Sequence, residues 1–145
     1  MNTIEETLRE HGVFVTTTSG VSMEPLFKNR RDTVEIVPVT GRLSKYDVPL
    51  YRRQNDYVLH RIIKVLPDSY VICGDNCIGI ERGITDENIV GVMVAFDRKG
   101  KHYTVDHPGY RLYARLRVAQ YPLRLLWFNA RRCAAKIWHK VSAKK

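Results

Sequence analysis

Ser22 and His60 are the two side chains of this 145-residue chain whose types and settings suit nucleophilic chemistry. Ser22 stands in Ser19-Gly20-Val21-Ser22-Met23-Glu24-Pro25, just after the strand-like run Val13-Phe14-Val15-Thr16-Thr17-Thr18. Gly20 lets the backbone turn where a Cβ would clash, and Pro25 stops a helix from running through the end of the segment. The serine is therefore displayed on a tight, irregular connection. A serine hydroxyl attacks only when a neighbouring base removes its proton. The candidate base is His60, in Tyr57-Val58-Leu59-His60-Arg61-Ile62-Ile63, because an imidazole titrating near pH 6.5 suits proton transfer at neutral pH. Each residue has an ordinary alternative: a turn serine bonding its own backbone, and a core histidine with one hydrogen-bonded nitrogen.

The elements that must position them are mostly strands. Thr3-Ile4-Glu5-Glu6 has the capping-box pattern and starts a short helix that Gly12 stops. From there to residue 105 the texture is β, with strands expected over 13–18, 33–39, 48–53, 57–66, 70–73, 89–97 and 101–105. Gln54-Asn55-Asp56, Pro67-Asp68-Ser69 and Arg98-Lys99-Gly100 read as tight hairpin loops. Pro49 marks its strand as an edge or the site of a bulge. Short strands with short connections imply a mainly β fold of coiled antiparallel sheets or a partly open barrel. Within 57–66, alternation places His60 on one face with Val58, Ile62, Lys64 and Leu66. Lys64 is a rival base, but it lies about 13 Å along that strand from His60, so both cannot serve Ser22. His60 is preferred.

A hydrophobic content of 44% and a charged content of 27% are those of an ordinary globular protein. The net charge of +9 is concentrated at one end. Residues 1–107 carry 14 Lys/Arg against 15 Asp/Glu, whereas 108–145 carry 10 Lys/Arg and no acid. Cys73, Cys77 and Cys133 make an odd count at spacings that match no zinc pattern, so no disulfide framework, metal or cofactor is implied. The first twelve residues are acidic and do not resemble a secretory signal, and no stretch has the roughly 18 apolar residues of a membrane span. A cytoplasmic setting is expected. The chain thus divides into a short helix (1–12), a β domain carrying the chemistry (13–107) and a basic tail (108–145).

The tail reads as helix over 110–141, interrupted at Pro122. Leu123, Leu126, Trp127, Ala130, Ala134, Ile137 and Val141 recur at steps of three and four, with Trp138 beside them. Arg124, Arg131, Arg132, Lys136 and Lys140 fall outside that stripe. This is the pattern of a peripheral anchor lying in the plane of an anionic membrane. The alternatives are a terminal helix packing its stripe on the β domain and, more weakly, a basic helix contacting nucleic acid.

Ser22-Met23-Glu24-Pro25 resembles the nucleophile box of the signal-peptidase-like and LexA-like serine peptidases, whose shared pattern is Ser-Met-x-Pro or a near variant. Further boxes match in order: Arg42-Leu43 with Lys45-Tyr46-Asp47-Val48, His60-Arg61-Ile62-Ile63-Lys64-Val65, Gly74-Asp75-Asn76, and Ile89-Val90-Gly91-Val92. Together they cover roughly two thirds of the chain. Bacterial signal peptidases and LexA-type repressors hold a lysine where this chain has His60. The endoplasmic-reticulum-type and archaeal signal peptidases hold histidine, and this chain is most similar to those.

The resemblance implies a partly open β-barrel and a serine endopeptidase working by acyl transfer through a Ser22/His60 pair. The family's third catalytic acid directly precedes Arg-Gly, which here is Glu81 in Glu81-Arg82-Gly83, although aspartate is usual there. Asp75 matches its own box more closely, and the choice between Glu81 and Asp75 stays open. The Ser22 amide and the Ser19 hydroxyl are candidate oxyanion donors. An extended peptide is expected to add between 13–18 and 57–60 by main-chain pairing, with shallow pockets for small side chains. A LexA-type self-cleaving switch needs a DNA-binding segment and an Ala-Gly or Cys-Gly bond upstream of the serine, and the 21 residues before Ser22 hold neither. Members of the signal-peptidase group usually carry a transmembrane anchor, which is not seen here. Cleavage of leader-like peptides at the cytoplasmic membrane face is the function implied, against a non-catalytic peptide-binding module or a nucleic-acid binder as alternatives.

Overall fold

The computed structural model describes residues 3–142, with side chains to residue 135. Helix α1 (Ile4–His11) opens with the expected reciprocal cap: the Glu6 amide donates to Thr3 Oγ1 and the Thr3 amide donates to Glu6 Oε2. Gly12, at φ 71°, closes it by donating its amide to the Leu8 carbonyl. Leu8 is its one fully buried residue and joins the main core.

The chain continues through strands β1 (Phe14–Thr17), β2 (Thr33–Val37), β3 (Pro49–Arg53) and β4 (Asp56–Leu59). Then follow β5 (Arg61–Val65), β6 (Tyr70–Cys73), β7 (Glu81–Ile84), β8 (Ile89–Arg98) and β9 (Lys101–Thr104). The fold is mainly β. One antiparallel sheet has the order β1-β2-β8-β3-β4, with β9 also on β8, and it curls into a half-barrel. A second sheet holds β5, β6 and β7. Register shifts at Glu35/Ile36 and Leu50/Tyr51 interrupt the ladders of β2 and β3 with β8, and such bulges bend and twist a sheet. Pro49 begins β3 beside one of these shifts, as its missing amide requires. β3 is nevertheless an interior strand, between β8 and β4.

The stretch expected as one strand over 57–66 is two. The chain leaves the half-barrel after Leu59, passes through His60 and enters the second sheet at Arg61. Residues 44–47 meet β5 by backbone bonds there, Tyr46 amide to Ile62 carbonyl and Ile62 amide to Asp47 carbonyl. β7 was not anticipated, because Glu-Arg-Gly-Ile lacks strand composition and Gly83 is at φ 74°.

Helices α2 (Pro108–Ala119) and α3 (Tyr121–Ser142) form the tail. The break falls at Gln120, which leaves Pro122 in the first turn of α3, where its missing amide costs nothing. Lys136, Ile137, Trp138, Lys140 and Val141 have side chains outside the described portion. Tyr110 and Ala114 are buried, so α2 packs on the β domain. Among the described residues no helix is long and apolar enough to cross a membrane.

A buried ion pair joins these layers. Arg61 donates from Nε and Nη2 to the two Asp75 carboxylate oxygens at 2.8 Å each, and from Nη1 to the Tyr46 carbonyl and the Tyr110 hydroxyl at 3.0 Å. Both charged side chains are essentially solvent-free. Removing one member strands a buried charge, so Asp75→Ala should cost about 3–5 kcal/mol of unfolding free energy. Urea denaturation should show the double variant Arg61→Met/Asp75→Leu losing less than that single variant.

Candidate active site

The sequence 18–32 makes a loop whose own polar groups brace it. The Thr18 hydroxyl donates to the Lys28 and Asp32 carbonyls, and Gly20, at φ 86°, donates its amide to Asn29 Oδ1. Buried Asp32 accepts from Arg31 and from the Lys28 amide, and the Arg31 bond holds its carboxyl down at about 2. Within this loop Ser22 is half-buried and its carbonyl accepts the Asn76 amide at 2.7 Å. The Asn76 side chain also donates to the Val21 carbonyl at 3.1 Å. The Gly74–Cys77 turn after β6 is thus bonded directly to the serine loop.

Ser22 and His60 line one groove of about 520 Å³. β1 contributes Phe14, Thr16 and Thr17 to one wall, and β4 contributes Tyr57, Val58 and Leu59 to the other. These are the two end strands of the curled sheet. Met23, Phe27, Val34, Ile36 and Leu50, all core residues, line it as well. Gly74 marks how close the two candidate residues lie. A Cβ placed there would stand 2.7 Å from the Ser22 carbonyl oxygen and 3.1 Å from His60 Nε2, so a single methyl group would touch both.

The other imidazole nitrogen faces a carboxylate. His60 Nδ1 is 3.3 Å from Glu81 Oε1 and 3.3 Å from the Tyr51 hydroxyl. Tyr51 donates that hydroxyl to the same Glu81 oxygen at 2.7 Å. With its proton committed to Glu81, the phenol oxygen faces Nδ1 as an acceptor, as does the carboxylate. Both favour the tautomer that carries its proton on Nδ1 and leaves the lone pair on Nε2, the nitrogen beside Gly74. Arg53 Nη1 lies 3.3 Å from the same Glu81 oxygen. Burial lowers the His60 pKa below its ordinary value; the Glu81 charge opposes that shift and the Arg53 charge adds to it. Burial, then the bond to Glu81, raises the Tyr51 phenol, which stays protonated.

The remaining candidates divide between the groove and places away from it. Asp75 gives its carboxylate to Arg61 and accepts the Tyr113 hydroxyl at 2.9 Å, so the acid against the imidazole is Glu81. Lys64 is exposed on β5 and is not among the groove-lining residues. Ser19 is exposed on the groove. Cys77 lines the groove too, but burial raises its thiol pKa, which keeps it a poor nucleophile. Buried Cys73 is pushed up to about 11. Among the described residues no group of three His, Cys, Asp or Glu side chains is gathered for a metal ion.

Tyr51 and Arg53 escaped sequence reasoning, although hairpin register could have found the first. Tyr51 pairs with Val58 across the β3–β4 hairpin, which places position 60 on the same face two residues on. No protein-family model matches this chain, and no curated protein matches it.

Gly74→Ala should push on the Ser22 loop and on Cys77, since the added Cβ would stand 2.7 Å from the Ser22 carbonyl oxygen and 2.8 Å from Cys77 Sγ, with His60 Nε2 next at 3.1 Å. A loss of about 1–3 kcal/mol is expected in urea denaturation, with shifted His60 ring signals in NMR spectra. Gly79→Ala, whose Cβ would meet nothing within 4 Å, should leave both unchanged.

Proposed function

We propose that this chain is a serine endopeptidase of the signal-peptidase-like kind, hydrolysing an extended peptide at the cytoplasmic face of a membrane. One observation carries the reading. Ser22 and His60 share a groove bounded by two strand edges, with a carboxylate against the imidazole Nδ1. The ordered resemblance of five sequence boxes supports the same class. Free cysteines at 73, 77 and 133 suit a reducing compartment.

In this mechanism the Ser22 hydroxyl attacks the scissile carbonyl while His60 Nε2 accepts its proton. Glu81 and Tyr51 hold the Nδ1 proton and stabilise the imidazolium that forms. The tetrahedral oxyanion is met by the Ser22 amide and the Ser19 hydroxyl. The imidazolium then protonates the leaving amine, which departs with the downstream peptide and leaves an acyl ester on Ser22. A water activated by the same base hydrolyses that ester. Substrate binds as an added strand between β1 and β4, giving affinity through main-chain bonds and specificity through alternate side chains. The Met23, Phe27 and Leu50 lining suits apolar side chains.

Three measurements test this. An active-site-serine probe should label Ser22, and labelling should vanish in Ser22→Ala and His60→Ala; a folded chain that binds peptide yet is never labelled or active would be a binding module instead. The rate should follow the neutral imidazole. Because burial depresses the His60 pKa, kcat/KM should rise with pH to a plateau at neutrality, its midpoint below 6.5. Glu81→Gln removes the charge that props this pKa up. It should move the midpoint lower still and reduce the plateau by about 10²–10⁴-fold. A midpoint unmoved by Glu81→Gln would remove Glu81 from the mechanism.

A further inference from the structure

The two helices of the tail present opposite faces to the molecule and to solvent. On the inner face Tyr110 and Ala114 are buried, and Arg117 Nε donates to the Asp75 carbonyl at 2.8 Å. The Tyr121 hydroxyl donates to the Ile78 carbonyl at 2.7 Å, and Arg124 Nη1 donates to the Asp75 and Cys77 carbonyls. The other face is a stripe of large apolar residues in water. Leu112, Leu116, Leu123, Leu126 and Trp127 recur at helical spacing and are all between 50% and 68% exposed. The packing of this stripe on the β domain, one of the alternatives raised by its sequence, is therefore not what the described residues show.

Its chemistry selects among occupants. Arg111, Arg115 and Arg131 are exposed alongside the stripe, Arg132 is exposed on the far side of α3, and residues 108–145 hold ten basic residues and no acidic one. Arg131 stacks over the Trp127 ring at 4.6 Å, a pairing suited to a boundary between headgroups and hydrocarbon. A nucleic-acid partner would use the arginines and leave the leucines in water. An acid-free apolar stripe with cationic flanks complements an anionic lipid surface on both counts.

We propose that the outer face of α2 and α3 docks, in plane, on an anionic lipid bilayer. The proposal stands independently of the peptidase reading. Its consequence for the site is mechanical. The helices that dock are the ones whose inner-face arginines hold the Asp75–Cys77 carbonyls, and Asn76 of that same turn holds Ser22. The groove would thus be carried on the lipid-bound element.

The test uses the full chain with phosphatidylcholine vesicles, with and without phosphatidylglycerol. Both tryptophans lie at 127 and 138, so intrinsic fluorescence reports the tail alone. Flotation with the anionic vesicles and a blue shift of that emission are expected, with little of either on neutral vesicles. Leu123→Glu/Leu126→Glu and Arg131→Glu/Arg132→Glu should each weaken binding at least tenfold, with circular dichroism unchanged. Ser22→Ala should bind like the parent. Failure to float on anionic vesicles would overturn the proposal. So would binding sensitive to the arginine pair but not the leucine pair, with equal retention on duplex DNA. A soluble dimer abolished by the leucine variant, in a chain that ignores vesicles, would assign the stripe to self-association.

Discussion

A guanidinium with no access to water has to be answered completely, and in this protein Arg61 makes four hydrogen bonds to three groups from three places in the chain. Asp75 supplies the charge, and the Tyr46 carbonyl and Tyr110 hydroxyl supply the remaining acceptors. The burial that would drive the charge off is outweighed by the Asp75 fork, and Arg61 stays firmly protonated. This one cluster holds the start of β5, the turn after β6 and the first turn of α2 in a single arrangement. His60 is the residue next to Arg61, so the position of the imidazole follows from it. Tyr113, Arg117 and Arg124 attach the tail to the same turn, which makes the helices part of the support for the groove.

Beside that cluster the polar groups around His60 are balanced rather than locked. The imidazole is buried enough to prefer neutrality, faces a carboxylate that favours its charge, and is repelled by the nearby Arg53 charge. A base that is neutral at rest and can be charged transiently needs such opposition. Tyr51 shares Glu81 with the imidazole and keeps the carboxylate from swinging away. The two acids near the site therefore have different work: Asp75 neutralises a structural charge, and Glu81 faces a titratable one.

The groove exists because the larger sheet curls without closing. Strand edges left open are ordinarily a hazard, since they invite pairing with another chain. Here β1 and β4 supply the two walls of one cavity.

Much of this was legible in the residues. The capping box at Thr3, the stop at Gly12, the Lys99-Gly100 hairpin and most strand limits depend on backbone preferences a few residues long, and local sequence states those directly. The turn at Ser22 and the tail's amphipathic spacing are of the same kind. What local sequence could not state was the pairing of distant parts. Alternation through 57–66 looks the same whether a strand stays in one sheet or changes sheet at His60, because the period carries no record of curvature. Glu81 and Asp75 were equal candidates on paper. Only the long-range register of β7 on β6, opposite Ile72, and the demand of a buried Arg61 for a bidentate partner assign one to the imidazole and the other to the core. Those assignments rest on contacts between residues dozens of positions apart, and such contacts become defined when the chain packs.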